Sequence, residues 1–172
     1  MAPDILFSAE QIQARIAAMA RAIAASPLRP DIAMPVLVGG FVFAADLLRA
    51  LSWEGVPLDV EMIWLRSYGD KRVASAISMI AGPSEQIAGR HVLVLDGVLD
   101  AGRTIAKAVS LIRAAGAASV QVAVMLDKQR PDAVARADYV GFTVGNDFVV
   151  GYGMDDAGRY RGLPYIGKVH SG

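Results

Sequence analysis

The sequence contains no cysteine and only two histidines among its 172 residues. The lack of cysteine excludes disulfide bonds, thiolate metal sites and a cysteine nucleophile. The histidines, His91 and His170, belong to no recognisable motif. We therefore expect both to be structural or solvated, and any chemistry to depend on other side chains.

Excess charge of either sign is also lacking, because 17 basic residues balance 17 acidic ones. No global field attracts nucleic acid or an anionic membrane, and any useful positive charge must be local. The apolar runs are too short for a membrane span, and the N-terminus lacks the pattern of a signal peptide. These absences predict a soluble, cytoplasmic protein with no nucleic-acid or membrane partner.

Apolar residues are abundant, at 54% of the chain, and they fall into alternating helix-like and strand-like segments. Ser8 and Gln11 form a capping-box pattern before an amphipathic helix that ends near Ser26. A strand at 34–38 and a helix at 41–51 follow. The pattern predicts one α/β domain over residues 1–172, with a mainly parallel twisted sheet flanked by helices.

The most informative stretch begins with the continuous apolar run 91–95, which is typical of a strand buried on both faces. It breaks at Asp96 into a polar turn and resumes as an apolar helix at 105–115. A strand, a glycine-containing turn and a helix N-terminus together form a phosphate-binding geometry. Gly102 lets a ligand approach the backbone closely, and Thr104 offers a hydroxyl group.

Two acids, Asp96 and Asp100, lie in this turn. Carboxylates beside a phosphate site suit a ligand that also carries ribose hydroxyls, a divalent metal ion or a proton to be removed. The residues alone leave these three possibilities open.

Three other segments carry candidate ligand contacts. Gly39 and Gly40 follow a strand, as close contacts to a ligand or as a simple tight turn. Lys128 ends the apolar strand 119–126, as a donor to a carbonyl oxygen or as a solvated lysine. Phe148 offers a ring either to a heterocycle or to the core.

A strand is expected at 56–65, and the segment from Arg66 to about Glu85 has weak periodicity. That segment predicts either a mobile lid over a site or a hairpin with surface charges. A further strand is expected at 138–142.

Residues Leu95 to Thr104 resemble the 5-phosphoribosyl-1-pyrophosphate (PRPP) loop of the type I phosphoribosyltransferases. Residues 147–155 and 158–167 are similar to the C-terminal signature of the hypoxanthine-guanine branch of that family. Shorter matches occur at 5–12, 67–69, 126–131 and 139–142. The resemblance covers nearly the whole chain.

This resemblance implies the type I phosphoribosyltransferase fold, with a small hood built from the terminal segments. It also implies Mg²⁺-dependent transfer of ribose 5-phosphate from PRPP to a 6-oxopurine base, hypoxanthine or guanine, in purine salvage. The products are pyrophosphate and a nucleotide monophosphate, IMP or GMP. Family members commonly form a homodimer or a homotetramer.

The resemblance assigns a role to each matching residue. Asp100 is the proton acceptor near the purine N7, and Ser67 and Tyr68 belong to a closing catalytic loop. The PRPP contacts are Asp96 at the ribose hydroxyls, Ala101, Gly102, Arg103 and Thr104 at the 5-phosphate, and Val38, Gly39 and Arg161 at the pyrophosphate. The purine contacts are Lys128, Phe148, Val149 and Asp155, and Asp155 is also the metal ligand.

The chain departs from the family pattern at three positions, all in the PRPP half of the site. Val38 replaces a lysine, Gly97 replaces an acid and Ala101 replaces a threonine. The sequence therefore leaves open a working enzyme with weakened PRPP binding, a catalytically weakened paralogue that acts as a purine-nucleotide-binding or regulatory module, and an enzyme for another heterocycle.

Overall fold

The computed structural model describes residues 2–68 and 76–169. In chain order its elements are β1 (Asp4–Phe7), α1 (Ala9–Ala24), β2 (Ile32–Leu37), α2 (Phe41–Trp53), β3 (Asp59–Val60), β4 (Ile63–Tyr68), β5 (Ala76–Ala81), β6 (His91–Leu99), α3 (Arg103–Ala114), β7 (Ser119–Asp127), β8 (Tyr139–Thr143), β9 (Val149–Val150) and β10 (Ile166–Lys168). A short 3₁₀ turn at Glu85–Ile87 precedes β6.

The main sheet has the strand order β5-β4-β2-β6-β7-β8, and β3 pairs with the first half of β2. The pairs from β4 through β2, β6 and β7 to β8 are parallel, whereas β5 runs antiparallel to β4 at one edge. This arrangement confirms the predicted mainly parallel α/β architecture. All the carboxyl ends of the central strands therefore meet at one edge of the sheet.

Both faces of the sheet are covered, because alternate side chains of β6 enter two different cores. Leu93 and Leu95 pack with α1 and α2, in a core that includes Ile12, Phe43 and Leu47. On the opposite face, Val92 and Val94 pack with Ile105, Ala108 and Ile112 of α3. Burial on both faces explains why β6 is apolar at consecutive positions.

A second, three-stranded antiparallel sheet has the order β1-β10-β9. Gly167 of β10 pairs with Ile5 of β1 and with Val150 of β9, so the sheet joins the two ends of the chain. This small sheet is the predicted hood.

The predicted capping box is present at the start of α1, where Ser8 and Gln11 exchange side-chain to backbone hydrogen bonds. Helix α1 ends at Ala24, close to the predicted end.

The predicted strand at 56–65 is wrong in extent. It is divided into β3 and β4, which pair with successive halves of the same edge of β2. The break lies at Glu61 and Met62, where the Glu61 amide still donates to the Ala33 carbonyl but Met62 is 53% exposed. The largely apolar run from 56 to 65 gave no indication of this break in the sequence.

The segment after Arg66 was expected to be a lid or a hairpin, and the described part is a hairpin. Strands β4 and β5 pair from Trp64 and Ala81 to Tyr68 and Ala76. Both Met79 and Ile80 are about half exposed on this edge strand, which explains its weak periodicity. Residues 69–75, including Gly69, lie outside the described part of the chain.

The predicted break of β6 at Asp96 is also wrong. The strand continues to Leu99 because its parallel pairing with β7 continues through Val98 and Leu126. Backbone hydrogen bonds, rather than apolar side chains, carry the strand through Asp96 and Gly97 to the cleft edge.

Among residues 2–68 and 76–169, none of the helices has the length and apolar character needed to span a bilayer.

The C-terminal segment is tied to the helical layer by Tyr152, whose side chain is buried. Its hydroxyl donates to Asp46 Oδ2 of α2 at 2.6 Å, and Gln13 of α1 donates to the same oxygen at 3.2 Å. This junction fixes the segment that leads to Asp155 against both helices.

We expect Tyr152→Phe to lower the free energy of unfolding by about 1–2 kcal/mol, because the partly buried Asp46 carboxylate loses a donor. Tyr139→Phe is the matched control, since the Tyr139 hydroxyl accepts a long hydrogen bond of 3.4 Å from Gln121. Urea unfolding of both variants tests this. Equal losses in the two variants would contradict the role given to the junction.

Candidate active site

A cleft of about 810 Å³ lies at the carboxyl ends of β2, β6 and β7 and is bordered by the C-terminal segment. This volume is within the range of small-molecule sites. All but two of the predicted site residues line it: Val38, Gly39, Asp96, Asp100, Ala101, Gly102, Arg103, Thr104, Lys128, Phe148, Val149, Asp155 and Arg161. Residues far apart in the sequence are thus brought together.

The two remaining predicted site residues, Ser67 and Tyr68, end strand β4. Their backbones pair with Ile77 and Ala76 of β5, so the start of the predicted catalytic loop is part of the hairpin.

The turn between β6 and α3 has the backbone conformation expected for an anion site. Gly102 adopts a φ of 77° and begins α3 without a side-chain cap. A side chain there would also meet the Ala135 amide nitrogen at 2.8 Å. Because the first amides of a helix have no intrahelical acceptor, the turn from Gly102 to Thr104 presents donors and a partial positive charge to the cleft.

Asp96 lines the cleft and is partly buried. Burial raises the pKa of its carboxyl group to about 7, and the hydrogen bond from the Gly97 amide at 2.7 Å opposes the increase. A carboxyl group with a pKa of about 7 ionises readily when a ligand brings further hydrogen-bond donors.

Asp100 lies between two cations. Lys128 Nζ is 3.0 Å from Oδ2, and Arg130 Nη1 is 3.0 Å from Oδ1. Partial burial raises the pKa of the Asp100 carboxyl, but the hydrogen bonds and charges of Lys128 and Arg130 outweigh it and hold the pKa below its usual range. Asp100 is therefore ionised at neutral pH.

The C-terminal side of the cleft carries a second ion pair. Arg161 Nη2 is 2.8 Å from Asp155 Oδ1, and Arg161 Nη1 donates to the Gly153 carbonyl at 2.7 Å. The Gly158 amide donates to the other Asp155 oxygen at 2.7 Å. Both side chains are thus held at the cleft before any ligand binds.

Phe148 precedes β9 and is 49% exposed, so its ring belongs to the cleft wall rather than to the core. Val149, the next residue, is buried in β9. An exposed ring beside a lysine and a carboxylate suits a planar heterocycle with polar edges.

Sequence reasoning missed Arg130, which lines the same cleft. The signal was available, because Arg130 follows Lys128 by two positions in the same turn. It also missed Trp64 and Arg66 of β4, which line the cleft. The Arg66 guanidinium group lies 5.6 Å from the centre of the Trp64 ring.

The three departures from the family pattern differ in their surroundings. Val38 lines the cleft and is 40% exposed. Gly97 is buried, and a Cβ atom there would lie 2.9 Å from the Gly39 carbonyl oxygen. The Ala101 carbonyl accepts a 3.0 Å hydrogen bond from the Val134 amide.

The fold and the cleft together define an α/β domain whose polar cleft lies at the carboxyl ends of the central parallel strands. A family model described as the phosphoribosyl transferase domain matches residues 4–157. The chain therefore belongs to the phosphoribosyltransferase family.

Relatives of this chain include a hypoxanthine-guanine phosphoribosyltransferase of Bacillus subtilis, 34% identical over 168 residues, which cover 96% of this chain and 92% of the relative. A bifunctional TilS/HprT protein of Listeria innocua is 39% identical over 166 residues, or 95% of this chain. The matched region is only 25% of that longer protein.

The fold is shared with solved structures. One is the hypoxanthine phosphoribosyltransferase of Trypanosoma cruzi in complex with its product IMP, with a TM-score of 0.88 and 35% identity. The match covers 98% of this chain and 95% of that one. The predicted family and fold are thereby confirmed.

The raised pKa of Asp96 predicts a pH-dependent stability in the protein without ligand. The native state retains the Asp96 proton up to a pH of about 7, whereas the unfolded chain releases it near its ordinary value of 3.8. The free energy of unfolding therefore decreases by up to about 4 kcal/mol as the pH rises from 3.8 to about 7, and this contribution is constant at higher pH.

Asp96→Asn removes this ionisation with little change in shape. We expect the free energy of unfolding of the unsubstituted protein, relative to the variant, to fall as the pH rises from about 4 to about 7. Urea unfolding across that range measures the difference. A difference that stays constant with pH would show that burial does not shift the pKa of Asp96.

Proposed function

We propose that this chain catalyses transfer of the 5-phosphoribosyl group from PRPP to a 6-oxopurine, hypoxanthine or guanine, giving IMP or GMP and pyrophosphate in purine salvage. The observation that carries the proposal is that one cleft is lined by three kinds of group: a helix N-terminal turn suited to an anion, the partly buried acid Asp96, and the cluster of Lys128, Asp100 and Phe148. A nucleotide needs partners of these kinds for its phosphate, ribose and base. Family membership supports the same reaction.

At the sugar end, the 5-phosphate binds the amides from Asp100 to Thr104, together with the Thr104 hydroxyl. Asp96 accepts hydrogen bonds from the ribose hydroxyls, whose donors stabilise its ionised form. The Gly39 backbone and Arg161 bind the pyrophosphate.

At the base end, Lys128 and Asp100 read two neighbouring edges of the purine. A 6-oxopurine offers an acceptor at O6 beside a donor at N7, and this pattern complements an ammonium group and a carboxylate 3.0 Å apart. A 6-aminopurine would place its amino group, a donor, opposite the Lys128 ammonium group, so these two donors would not pair with each other. Phe148 stacks on the ring, and the Val149 backbone meets its edge.

The residues present fit Mg²⁺ that arrives with PRPP. The described part of the chain holds no group of three or more metal-binding side chains. Mg²⁺ commonly uses one or two carboxylates and completes its shell with water and substrate phosphates, so Asp155 is sufficient as the protein ligand. When bound, the ion neutralises charge on the departing pyrophosphate.

The chain's own residues then have separate tasks in the reaction. Arg161 compensates the negative charge that develops on the leaving group, and Asp100 accepts the proton from N7 as the new bond to the sugar forms. Ser67 and Tyr68 belong to a loop that closes over the reacting atoms and excludes water, a role that rests on the family resemblance.

Assembly as a homodimer or homotetramer is part of the same proposal. A binding module without catalysis is not favoured, because the residues proposed as proton acceptor, base site and anion site all line one cleft.

The base assignment predicts that Lys128→Ala erases the preference for 6-oxopurines. We expect kcat/KM for hypoxanthine to fall about 10- to 100-fold, the value of a lost charge-assisted hydrogen bond, while any adenine activity changes little. Products formed from hypoxanthine, guanine, xanthine and adenine are identified by mass. Lys107→Ala, on the exposed face of α3, is the matched control.

Unchanged selectivity in the Lys128→Ala variant would remove Lys128 from the base site. If the folded, unsubstituted protein forms no nucleotide with any base at millimolar PRPP and Mg²⁺, the proposed function itself is wrong.

The departure at Val38 predicts a gain of function. Because Val38 is exposed at the cleft, we expect a lysine side chain introduced by Val38→Lys to reach into the cleft and place a cation near the proposed pyrophosphate position. We expect KM for PRPP to fall about 10-fold, as for a new charge-assisted hydrogen bond. Val38→Met, of similar length but uncharged, is the control, and an equal effect of both variants would contradict a charge contribution.

A further inference from the structure

Arg130 joins two carboxylates with one guanidinium group. Nε and Nη2 donate to the two oxygens of Asp132 at 2.9 and 2.7 Å, and Nη1 donates to Asp100 Oδ1 at 3.0 Å. The first two bonds form a bidentate pair, which fixes the plane of the guanidinium group. The third nitrogen is thereby directed at Asp100.

The turn that carries Arg130 is anchored to the anion-binding turn. The Val134 amide donates to the Ala101 carbonyl at 3.0 Å, and the Ala133 amide donates to the Arg130 carbonyl at 3.2 Å. The turn that carries Arg130 is therefore hydrogen-bonded to Ala101, the residue next to Asp100.

The two cations on Asp100 are not equivalent. Lys128 holds Oδ2, but in the proposed reaction its ammonium group donates to the purine O6. Oδ2 then becomes available to N7, whereas Arg130 competes with neither purine atom and keeps its bond to Oδ1. Arg130 is also more exposed than Lys128, with 38% of its side chain exposed against 13%.

We propose that Arg130 is a positioning residue for Asp100, oriented by Asp132, which holds one carboxylate oxygen so that the other faces the purine N7. This inference rests on the proposed function. Arg130 touches neither substrate in this arrangement, and its effect passes through Asp100.

The charged groups around Asp100 determine how the pH profile should respond. Lys128 and Arg130 contact it directly, Asp132 faces Arg130, and Arg103 of α3 acts on Asp132. Both direct partners lower the pKa of Asp100. Removal of Arg130 therefore raises that pKa and moves the acidic limb of the kcat/KM profile to higher pH.

The experiment compares Arg130→Gln with Arg130→Lys, Asp132→Asn and the unsubstituted enzyme. For Arg130→Gln we expect kcat to fall about 10- to 100-fold, the acidic limb to move to higher pH and KM for PRPP to change little. Arg130→Lys keeps the positive charge but loses the planar, bidentate guanidinium group. Compared with Arg130→Gln, it should therefore bring the pH of the acidic limb back toward that of the unsubstituted enzyme more fully than it recovers kcat. Asp132→Asn should lower kcat in the same direction by a smaller factor.

Arg136→Gln is the matched control, because Arg136 lies in the same connection between β7 and β8 but lines a separate cavity beside α3. It should leave kcat and the pH profile unchanged. Thermal unfolding of each variant establishes that it is folded at the assay temperature.

A direct titration separates this inference from the proposed function. The Asp100 carboxyl carbon, followed by NMR without substrates, should titrate at a higher pH in Arg130→Gln than in the unsubstituted protein. If the two titrations coincide, or if the variant keeps full kcat and its acidic limb, the inference is wrong. If the unsubstituted protein makes no nucleotide but the titration shifts, the proposed function fails while the Arg130–Asp100 coupling stands.

Discussion

The pairing of β6 with β2 on one side and β7 on the other is the constraint on which the rest of the structure depends. It fixes the strand that supplies side chains to both cores and carries Asp96 to the cleft edge. Because the pairing with β7 continues to Leu99 and Asp127, the residues that follow each strand emerge side by side. Asp100 and Lys128 are neighbours for this reason, although 28 positions separate them.

The charges of the cleft are balanced locally. Asp100 is paired with Lys128 and Arg130, and Asp155 is paired with Arg161. Asp96 contrasts with both, because its carboxyl group is held by the Gly97 amide and has a raised pKa. The paired acids are ready to act as ionised groups, whereas Asp96 gains its charge when donors arrive. Asp96, the acid whose ionised form is the least stabilised of the three, is thus at the position where the ribose is proposed to bind.

The apolar runs and the turn residues were sufficient to predict the fold class, because they mark the strand ends. Together with the family resemblance, which implied the hood, they identified 13 of the 22 residues that line the cleft. The sequence was insufficient for the extent of β6 and for the division at Glu61, since both depend on which backbone groups pair across the sheet. Arg130 was missed for a related reason. Its position two residues after Lys128 was a signal, but its contact with Asp100 depends on how the turn after β7 folds.

The departures from the family pattern are physically connected. A side chain at Gly97 would press on the Gly39 carbonyl, and a Cβ atom at Gly39 would lie 3.7 Å from Asp96 Oδ1. The turn that carries Val38 therefore packs on the strand positions where the family has two adjacent acids. Replacing one acid by glycine and the lysine by valine removes one negative and one positive charge from the same small volume. A second acid beside Asp96 would raise its pKa further through like-charge repulsion, so its loss makes ionisation of Asp96 easier. The two replacements together leave the net charge of the sugar end unchanged with fewer groups to desolvate. The binding energy that is lost there is the part that a lysine at position 38 supplies in the family pattern.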